Sequence, residues 1–301
     1  MTATLALGTY RVPANRMNQA AEHAANAPMP WVDTAPNYCD GTAHQLLAPA
    51  LAAHPRLRVA TKTGYLTPKE IRAAAADGIP IPADARHSLD PAVVDWQVER
   101  ARAELGRARL DTMFVHNSEH LPDDQLAAGL RDAFAILEEK VACGRIASYG
   151  VAVWNGFTDG RFTVATLNRL AQIAAGSHDH HLTTIQLPVS LIEATALAQA
   201  LLGRGPIAHA VDHGWHVHAS APLHGGELAR LDGGAELAGL IRPGTTIAEA
   251  ALAAVASCPG IERVLVSTAD PRHWDRALTA LAHDPVPATT LRSVLRVLAT
   301  A

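Results

Sequence analysis

The sequence predicts a (β/α)8 TIM barrel, in which residues 1–301 form a single barrel domain with an extra helix at the C-terminal end. Two observations predict this fold. Short β-branched or apolar runs alternate with Ala-rich amphipathic stretches along the whole chain, which is typical of βα units and a parallel sheet. There are eight such pairs, and eight is the number that closes a barrel. A doubly wound open sheet is the second choice, because no GxGxxG motif follows the first strand.

The strands are predicted where the short runs of apolar and β-branched residues fall. Such runs bounded by turn residues are typical of strands buried on both faces. The predicted strands are Thr4–Gly8, Trp31–Thr34, Arg58–Lys62, Thr112–His116, Ile146–Val151, Thr183–Leu187, His216–Ser220 and Arg263–Ser267.

The helices are predicted between these strands. Asp90-Pro91 and Asp270-Pro271 each combine an N-cap residue with a proline at the first helical position, which marks a helix start. The predicted helices are Ala14–Ala27, Ala43–Ala53, Pro91–Leu105, Asp124–Cys143, Arg161–Ala175, Glu193–Leu202 with Ile207–Asp212, Ile247–Ser257, Pro271–Ala282 and the extra helix Thr290–Leu298.

Two longer segments interrupt the alternation and are predicted as long loops after strands 3 and 7. Residues 65–89 include Ile79-Pro80-Ile81-Pro82, and residues 223–245 are rich in glycine. Both follow a strand, so both belong to the barrel face that carries active sites. Long loops there close over a ligand, although a disordered surface insertion remains an equal alternative for the first segment.

Composition narrows the class of protein. The chain is 49% hydrophobic and 18% charged, which predicts a large core, and its net charge of −4 disfavours nucleic-acid binding. Three widely spaced cysteines predict free thiols in a reducing compartment, and the lack of a long apolar run predicts a cytoplasmic protein without a membrane segment. Sixteen histidines occur without HExxH or CxxC spacing, so no metal site is predicted.

Four polar side chains stand at or just after the ends of neighbouring strands. Asp33 ends strand 2, Tyr38 follows it in the loop, Lys62 ends strand 3 and His116 ends strand 4. Catalytic groups of a TIM barrel lie at these strand ends. Each residue taken singly is more often a packed or capping group, but their order and shared placement favour a site.

The four residues suggest a proton-transfer site. A lysine and an aspartate inside a barrel are costly to desolvate unless they pair, so Lys62 and Asp33 are predicted to form an ion pair. The Lys62 ammonium is expected to lower the pKa of the Tyr38 phenol. Tyr38 would then act as a general acid toward a carbonyl oxygen, with His116 orienting the carbonyl or sharing the proton.

At this point the sequence resembles the aldo-keto reductase family. The strings LGTY at 7–10, VDTAPNY at 32–38, ATKTG at 60–64 and FVHN at 114–117 are similar to that family's motifs in their usual order. The resemblance implies a TIM barrel, NADPH or NADH as cofactor, and a tetrad that falls on Asp33, Tyr38, Lys62 and His116. The segment after Lys62 and the string Ala221-Pro222-Leu223 look like the aldose-dehydrogenase-like branch, which implies a sugar-like substrate.

The resemblance also implies cofactor-binding residues. Gln186 matches the family's glutamine at the nicotinamide, whereas Ala152 replaces the expected serine and no aromatic residue precedes Ser220 to stack on the ring. At the adenosine end, Arg272 either helps to hold a 2′-phosphate or is a solvated charge on a helix face. The expected cofactor-binding residues are Gly8, Thr9, Tyr10, Asp33, Asn155, Gln186, Ser220, Pro222, Leu223, Gly225, Ser267, Thr268, Arg272 and His273.

Three functions remain open from the sequence. The first is a reductase that transfers a hydride from NADPH, or from NADH, to the carbonyl of a small molecule while Tyr38 delivers the proton. The second is a cofactor-binding regulatory barrel without turnover, supported only by the departures at Ala152 and before Ser220. The third keeps the cofactor but reduces an imine or an activated alkene.

Overall fold

The barrel is closed by eight parallel strands in chain order. The computed structural model describes residues 3–299, and within them each strand pairs with the next, while β8 returns to pair with β1. Thr4 lies opposite Arg263, and Leu7 lies opposite Val266. The predicted (β/α)8 barrel is therefore confirmed. The strands are β1 Thr4–Gly8, β2 Trp31–Asp33, β3 Arg58–Thr63, β4 Leu110–His116, β5 Ile146–Ala152, β6 Leu182–Pro188, β7 His216–Ser220 and β8 Arg263–Val266.

Helices cover the outside of the barrel. They bury their apolar faces against the outer side of the sheet, in a core that includes Leu7, Val59 and Phe134. Among residues 3–299, no helix has both the length and the apolar composition to cross a membrane. The helices are α1 Met17–Ala24, α2 Ala43–Ala53, α3 Pro68–Ala76, α4 Pro91–Leu105, α5 Asp123–Ala142, α6 Val164–Ala175, α7 Thr195–Ala200, α8 Gly205–Asp212, α9 Gly234–Ile241, α10 Ile247–Ala256, α11 Pro271–Ala282 and α12 Ala288–Leu298.

Both segments predicted as long loops contain a helix, so that part of the prediction was wrong. After β3 the chain forms α3, which begins with a capping box between Thr67 and Glu70 and has Pro68 at its first position. After β7 it forms two short 3-10 turns and then α9. Helix α9 was not predicted because its short apolar face lies within a glycine-rich stretch.

Seven predicted helices begin or end one to three residues from the observed bounds, and the shifts of α1, α6 and α7 have a visible cause. Residues 14–16 form a 3-10 turn before α1, which ends at Ala24, shortly before two prolines. Helix α6 begins at Val164 because the Thr163 hydroxyl caps it by accepting a hydrogen bond from the Thr166 N–H. Helix α7 begins at Thr195, because the Ser190 hydroxyl accepts a hydrogen bond from the Glu193 N–H and holds that residue in a turn.

The strand pleat places the candidate residues inside the barrel. Trp31, Ala60 and Phe114 belong to a small apolar cluster in the barrel interior. Asp33 and Lys62 stand two residues further along their strands, and since side chains alternate, they share the interior face at the C-terminal end. Gly150 lets the interior close, because a Cβ there would lie 2.4 Å from the Thr184 carbonyl oxygen.

Candidate active site

A buried ion pair joins β2 to β3 at the C-terminal end of the barrel. The Lys62 ammonium lies 2.5 Å from Asp33 Oδ1 and also donates to the Thr34 carbonyl at 2.8 Å. The two side chains are 1% and 5% exposed, so neither charge is solvated by bulk water. Gln186 of β6 donates to Asp33 Oδ2 at 2.8 Å. Both carboxylate oxygens of Asp33 therefore accept a hydrogen bond, and the Lys62 ammonium is held by Asp33 and by the Thr34 carbonyl.

Tyr38 enters this site from the 3-10 turn that follows β2. The Lys62 ammonium lies 5.0 Å from the centre of the Tyr38 ring. Tyr10, on the loop after β1, packs tilted against the same ring with centroids 5.3 Å apart. The Tyr38 ring is thus in contact with an ammonium and with a second tyrosine.

The pKa of Tyr38 differs in sign from the sequence-based expectation. Burial raises the pKa of the phenol, and the charge of Asp33 raises it further. Lys62 lowers this pKa, as expected, but by less than burial raises it. The expectation that Lys62 lowers the Tyr38 pKa overall was therefore wrong, because the desolvation of the phenolate outweighs the attraction of one ammonium that already neutralises Asp33.

His116 faces Tyr38 from the end of β4. The two rings meet edge to face with centroids 6.4 Å apart. Burial lowers the pKa of His116 well below its ordinary value, and Lys62, His87 and His120 lower it further. The imidazole is therefore neutral near pH 7. Its Nδ1 is buried without a partner in the described part of the chain, so Nε2 is the nitrogen left to meet a substrate.

The loop after β1 is bonded to the end of β2 and reaches the loop after β7. The Thr9 hydroxyl donates to the Asp33 carbonyl at 3.0 Å, which ties the end of β1, at Gly8, to β2. The Arg11 guanidinium lies over the Tyr10 ring at 5.2 Å, and its Nη1 is 3.3 Å from where a Cβ on Gly225 would stand. A cation therefore lies beside the glycine turn of the loop after β7.

The end of β7 and the loop after it contain four of the residues expected to bind the cofactor. Ser220 ends β7, and Pro222 and Leu223 follow in a tight turn in which the His224 N–H donates to the Ala221 carbonyl. Gly225 has a φ of +66°, in the left-handed region that glycine adopts without strain. The turn thus brings backbone close to Arg11, and a bulkier residue would separate the two.

The Asn155 side chain is bonded within its own loop. Its amide donates to Asp159 within the loop after β5, and its backbone N–H donates to Glu119 Oε1 at 3.2 Å. Glu119 also accepts from the Trp154 N–H at 2.6 Å. The loop after β5 is fixed by a buried carboxylate from the loop after β4, which the sequence did not reveal. Ala152 ends β5 opposite Gln186.

At the start of α11, the expected anion-binding residues make a cap. Asp270 accepts a hydrogen bond from the Arg272 N–H at 2.9 Å and an ion pair from the Arg272 side chain at 2.8 Å. Ser267 and His273 are exposed, and Thr268 accepts from the Asp270 N–H. The Asp270 carboxylate thus caps the helix N-terminus and pairs with Arg272, whose side chain is 85% exposed.

Sequence reasoning missed Tyr65, His87 and Gln97, which lie around His116 and the end of β3. Tyr65 follows Lys62 by three residues, and the rule that site residues follow strand ends would have found it. Gln97 is a polar residue on the buried face of α4, 3% exposed, which is itself a signal of a structural or functional bond. No sequence pattern distinguishes His87.

Comparison with known proteins finds one matching family model. Residues 2–232 match the family model described as "Aldo/keto reductase family". No curated protein sequence matches the chain.

Several solved structures share the fold. An aldo/keto reductase from Klebsiella pneumoniae in complex with NADP and acetate is 19% identical, with a TM-score of 0.70 over 98% of this chain and 90% of that one. The glycerol dehydrogenase AKR11B4 from Gluconobacter oxydans is 19% identical, with a TM-score of 0.71 over 98% and 91%. The aldo-keto reductase AKR11C1 from Bacillus halodurans is 15% identical, with a TM-score of 0.70 over 99% and 92%.

Proposed function

This chain belongs to the aldo/keto reductase family, and from that premise we propose that it is an NADPH-dependent reductase that converts the carbonyl of a small molecule into an alcohol. Asp33, Tyr38, Lys62 and His116 carry the proton transfer. The substrate is an aldehyde, a ketone or a sugar-like carbonyl compound.

One observation carries the proposal. A buried Lys62–Asp33 ion pair lies against the ring of Tyr38, whose edge meets a neutral His116 at the C-terminal mouth of the barrel. Burying an ion pair costs free energy that a purely structural barrel could avoid with apolar side chains. A phenol with an ammonium and a neutral imidazole beside its ring is suited to give a proton to an oxygen that becomes negative.

Each residue has a separate task in the reduction. Tyr38 donates its phenolic proton to the carbonyl oxygen as the alkoxide forms. Lys62 stabilises the resulting phenolate, because its ammonium is buried beside the ring. His116 is neutral, so its Nε2 can hydrogen-bond and orient the carbonyl without repelling Lys62. Asp33 keeps Lys62 protonated and in place, and Gln186 fixes the second oxygen of Asp33.

The residues near the mouth fit a dinucleotide cofactor. Within residues 3–299 no carboxylate pairs with Arg11, which lies beside the glycine turn at Gly225. An unpaired guanidinium next to a glycine turn suits a pyrophosphate. The buried Nδ1 of His224 also has no partner in the described residues. NADPH, when bound, supplies the hydride, and Arg11 with the turn at 222–225 would hold it.

The test is the substitution Tyr38→Phe, which removes one hydroxyl and keeps the ring. A panel of aldehydes, ketones and sugars is screened with NADPH, and kcat is followed by the loss of reduced-nicotinamide absorbance. We expect Tyr38→Phe to lower kcat by at least ~100-fold, as the loss of a general acid does. Quenching of tryptophan fluorescence by NADPH should be unchanged.

Tyr149→Phe is the matched control. Tyr149 is buried on the outer face of the sheet, and its hydroxyl donates to Glu138 at 2.9 Å, away from the mouth. This variant should keep its kcat. Full turnover in Tyr38→Phe would exclude the mechanism. NADPH binding without reduction of any carbonyl would instead favour the regulatory barrel, and turnover of imines or activated alkenes alone would favour the third function.

A further inference from the structure

We propose that Tyr65 and His87 are positioning residues for His116, so that the segment 65–89 is a working part of the active site. The segment leaves the barrel directly after β3 and returns before α4. The expected effect on kcat rests on the proposed function. The orientation of the His116 ring by Tyr65 does not depend on turnover.

The His116 ring contacts two tyrosine rings. Tyr65 meets it at a centroid distance of 4.8 Å and an interplanar angle of 69°, and Tyr38 meets it at 6.4 Å and 82°. Edge-to-face contacts of this kind favour one orientation of each ring over a rotated one. The His116 Nδ1 has no hydrogen-bond partner in the described chain, so no polar contact at that atom fixes the ring. Ring packing is what remains, and Tyr65 gives the nearer contact.

Side chains of the same segment form hydrogen bonds with the end of β4. His87 Nε2 donates to the His116 carbonyl oxygen at 2.7 Å, which requires the tautomer with its proton on Nε2. The next residue, Asn117, has a φ of +48° and donates its side-chain amide to the Tyr65 hydroxyl at 3.3 Å. The His116 carbonyl and the residue that follows it are therefore both bonded to the segment.

The segment is itself held firmly enough to act as a support. Its two ends pair antiparallel, with a bridge between Tyr65 and His87 and with the Ser88 N–H donating to the Gly64 carbonyl at 2.8 Å. Gly64 has a φ of +115°, and a Cβ there would lie 2.7 Å from His87 Nε2. Only glycine allows His87 this close to the strand end.

Gln97 of α4 fastens the segment to the barrel. Its Oε1 accepts from the Gly64 N–H at 2.8 Å, and its Nε2 donates to the Tyr65 carbonyl at 2.8 Å. A packed helix thus fixes the backbone that carries the Tyr65 ring. A rigid support of this kind matters because small errors in the placement of a reacting group lower the rate far more than they lower binding.

The test is a double-mutant cycle between Tyr65 and His116. Tyr65→Leu removes the ring, and we expect it to lower kcat by ~10- to 100-fold with little change in KM, as a misplaced catalytic group does. Tyr65→Phe keeps the ring and loses only the contact with Asn117, so it should restore kcat to within about threefold. In a His116→Gln background, Tyr65→Leu should cause no further loss, because the two residues act as one unit.

Two results would overturn the proposal. One is unchanged kcat in Tyr65→Leu, and the other is the same fold loss from Tyr65→Leu in the wild-type and His116→Gln backgrounds. If Tyr65→Leu does not fold, His87→Leu replaces it in the cycle, because it removes the bond to the His116 carbonyl, and the same non-additivity is required.

A second measurement separates this proposal from the proposed function. The imidazole proton resonances of His116 are assigned by their absence in His116→Gln. They should be sharp in the wild-type protein and in Tyr65→Phe, and broadened or shifted in Tyr65→Leu. Unchanged His116 resonances in Tyr65→Leu would overturn the positioning role. If the His116 ring loses its order in Tyr65→Leu while the wild-type protein shows no turnover, the reductase proposal is refuted and the positioning role of Tyr65 stands.

Discussion

The state of a single phenol, Tyr38, decides how the site should respond to pH. Burial raises the pKa of Tyr38 more than Lys62 lowers it. Burial also lowers the pKa of Lys62, but Asp33 and Tyr38 raise it by more, so the ammonium keeps its proton as well. A group with a raised pKa holds its proton to higher pH, so the acid form that reduction needs persists far above neutrality.

We therefore predict that kcat/KM for carbonyl reduction stays flat from about pH 7 to about pH 10, where an unperturbed phenol would titrate. Titration of His116 should cause no fall in kcat/KM near pH 6.5, since its lowered pKa keeps the imidazole neutral there. The measurement is kcat/KM against pH with saturating NADPH. A loss of half of the activity by about pH 8 would show that Lys62 lowers the pKa of Tyr38 by more than burial raises it.

At the same scale, the sequence predicted some residue contacts and could not predict others. The Lys62–Asp33 pair followed from the cost of burying either charge alone, and the structure contains it. The sign of the Tyr38 pKa did not follow, because it is a difference between burial and charge that depends on distances. The bond from Gln186 to Asp33 joins residues 153 positions apart, and no local pattern encodes it.

Among the elements, the segment after β3 departs most from the sequence-based expectation. Its proline-rich middle suggested a loop, while the capping box at Thr67 and the pairing of Tyr65 with His87 make it an ordered unit. Strand and helix periodicity identified the barrel units because each buries a repeating face. An insertion has no such repeat, so its structure depends on contacts with the barrel that appear only in three dimensions.

Gln97 is the contact on which this element depends, and it gives a prediction about stability. Gln97→Leu leaves the Gly64 N–H, the Thr63 hydroxyl and the Tyr65 carbonyl without their partner. Unsatisfied buried groups cost ~1–3 kcal/mol each, so we expect the free energy of unfolding to fall by at least about 3 kcal/mol. Urea denaturation measures it, with Gln125→Leu on the exposed face of α5 as control. A loss below about 1 kcal/mol would mean that the segment is held by other contacts.

For the molecule as a whole, the unusual feature is the polar interior of the barrel. The count of eight units predicted closure, but it could not predict that His218 of β7 is buried inside, edge to face with Trp31 and Phe114. Burial lowers the pKa of His218 to about 3, and Arg263 lowers it as well. A neutral imidazole enclosed by aromatic rings links the protonation of the interior to the stability of the fold.

This link predicts how His218 affects acid stability. With an unfolded pKa near 6.5 and a folded pKa of about 3, the unfolded chain binds a proton that the folded protein does not, so stability falls as pH drops from 6.5 toward 3. Between pH 7 and pH 5 this group should lower the free energy of unfolding by about 2 kcal/mol. His218→Phe keeps the ring packing and cannot titrate, so its loss over the same range should be smaller by that amount. Urea unfolding at the two pH values measures both, with the exposed His178→Gln as control. Equal losses in the wild-type protein and His218→Phe would show that the imidazole gains its proton without unfolding the barrel.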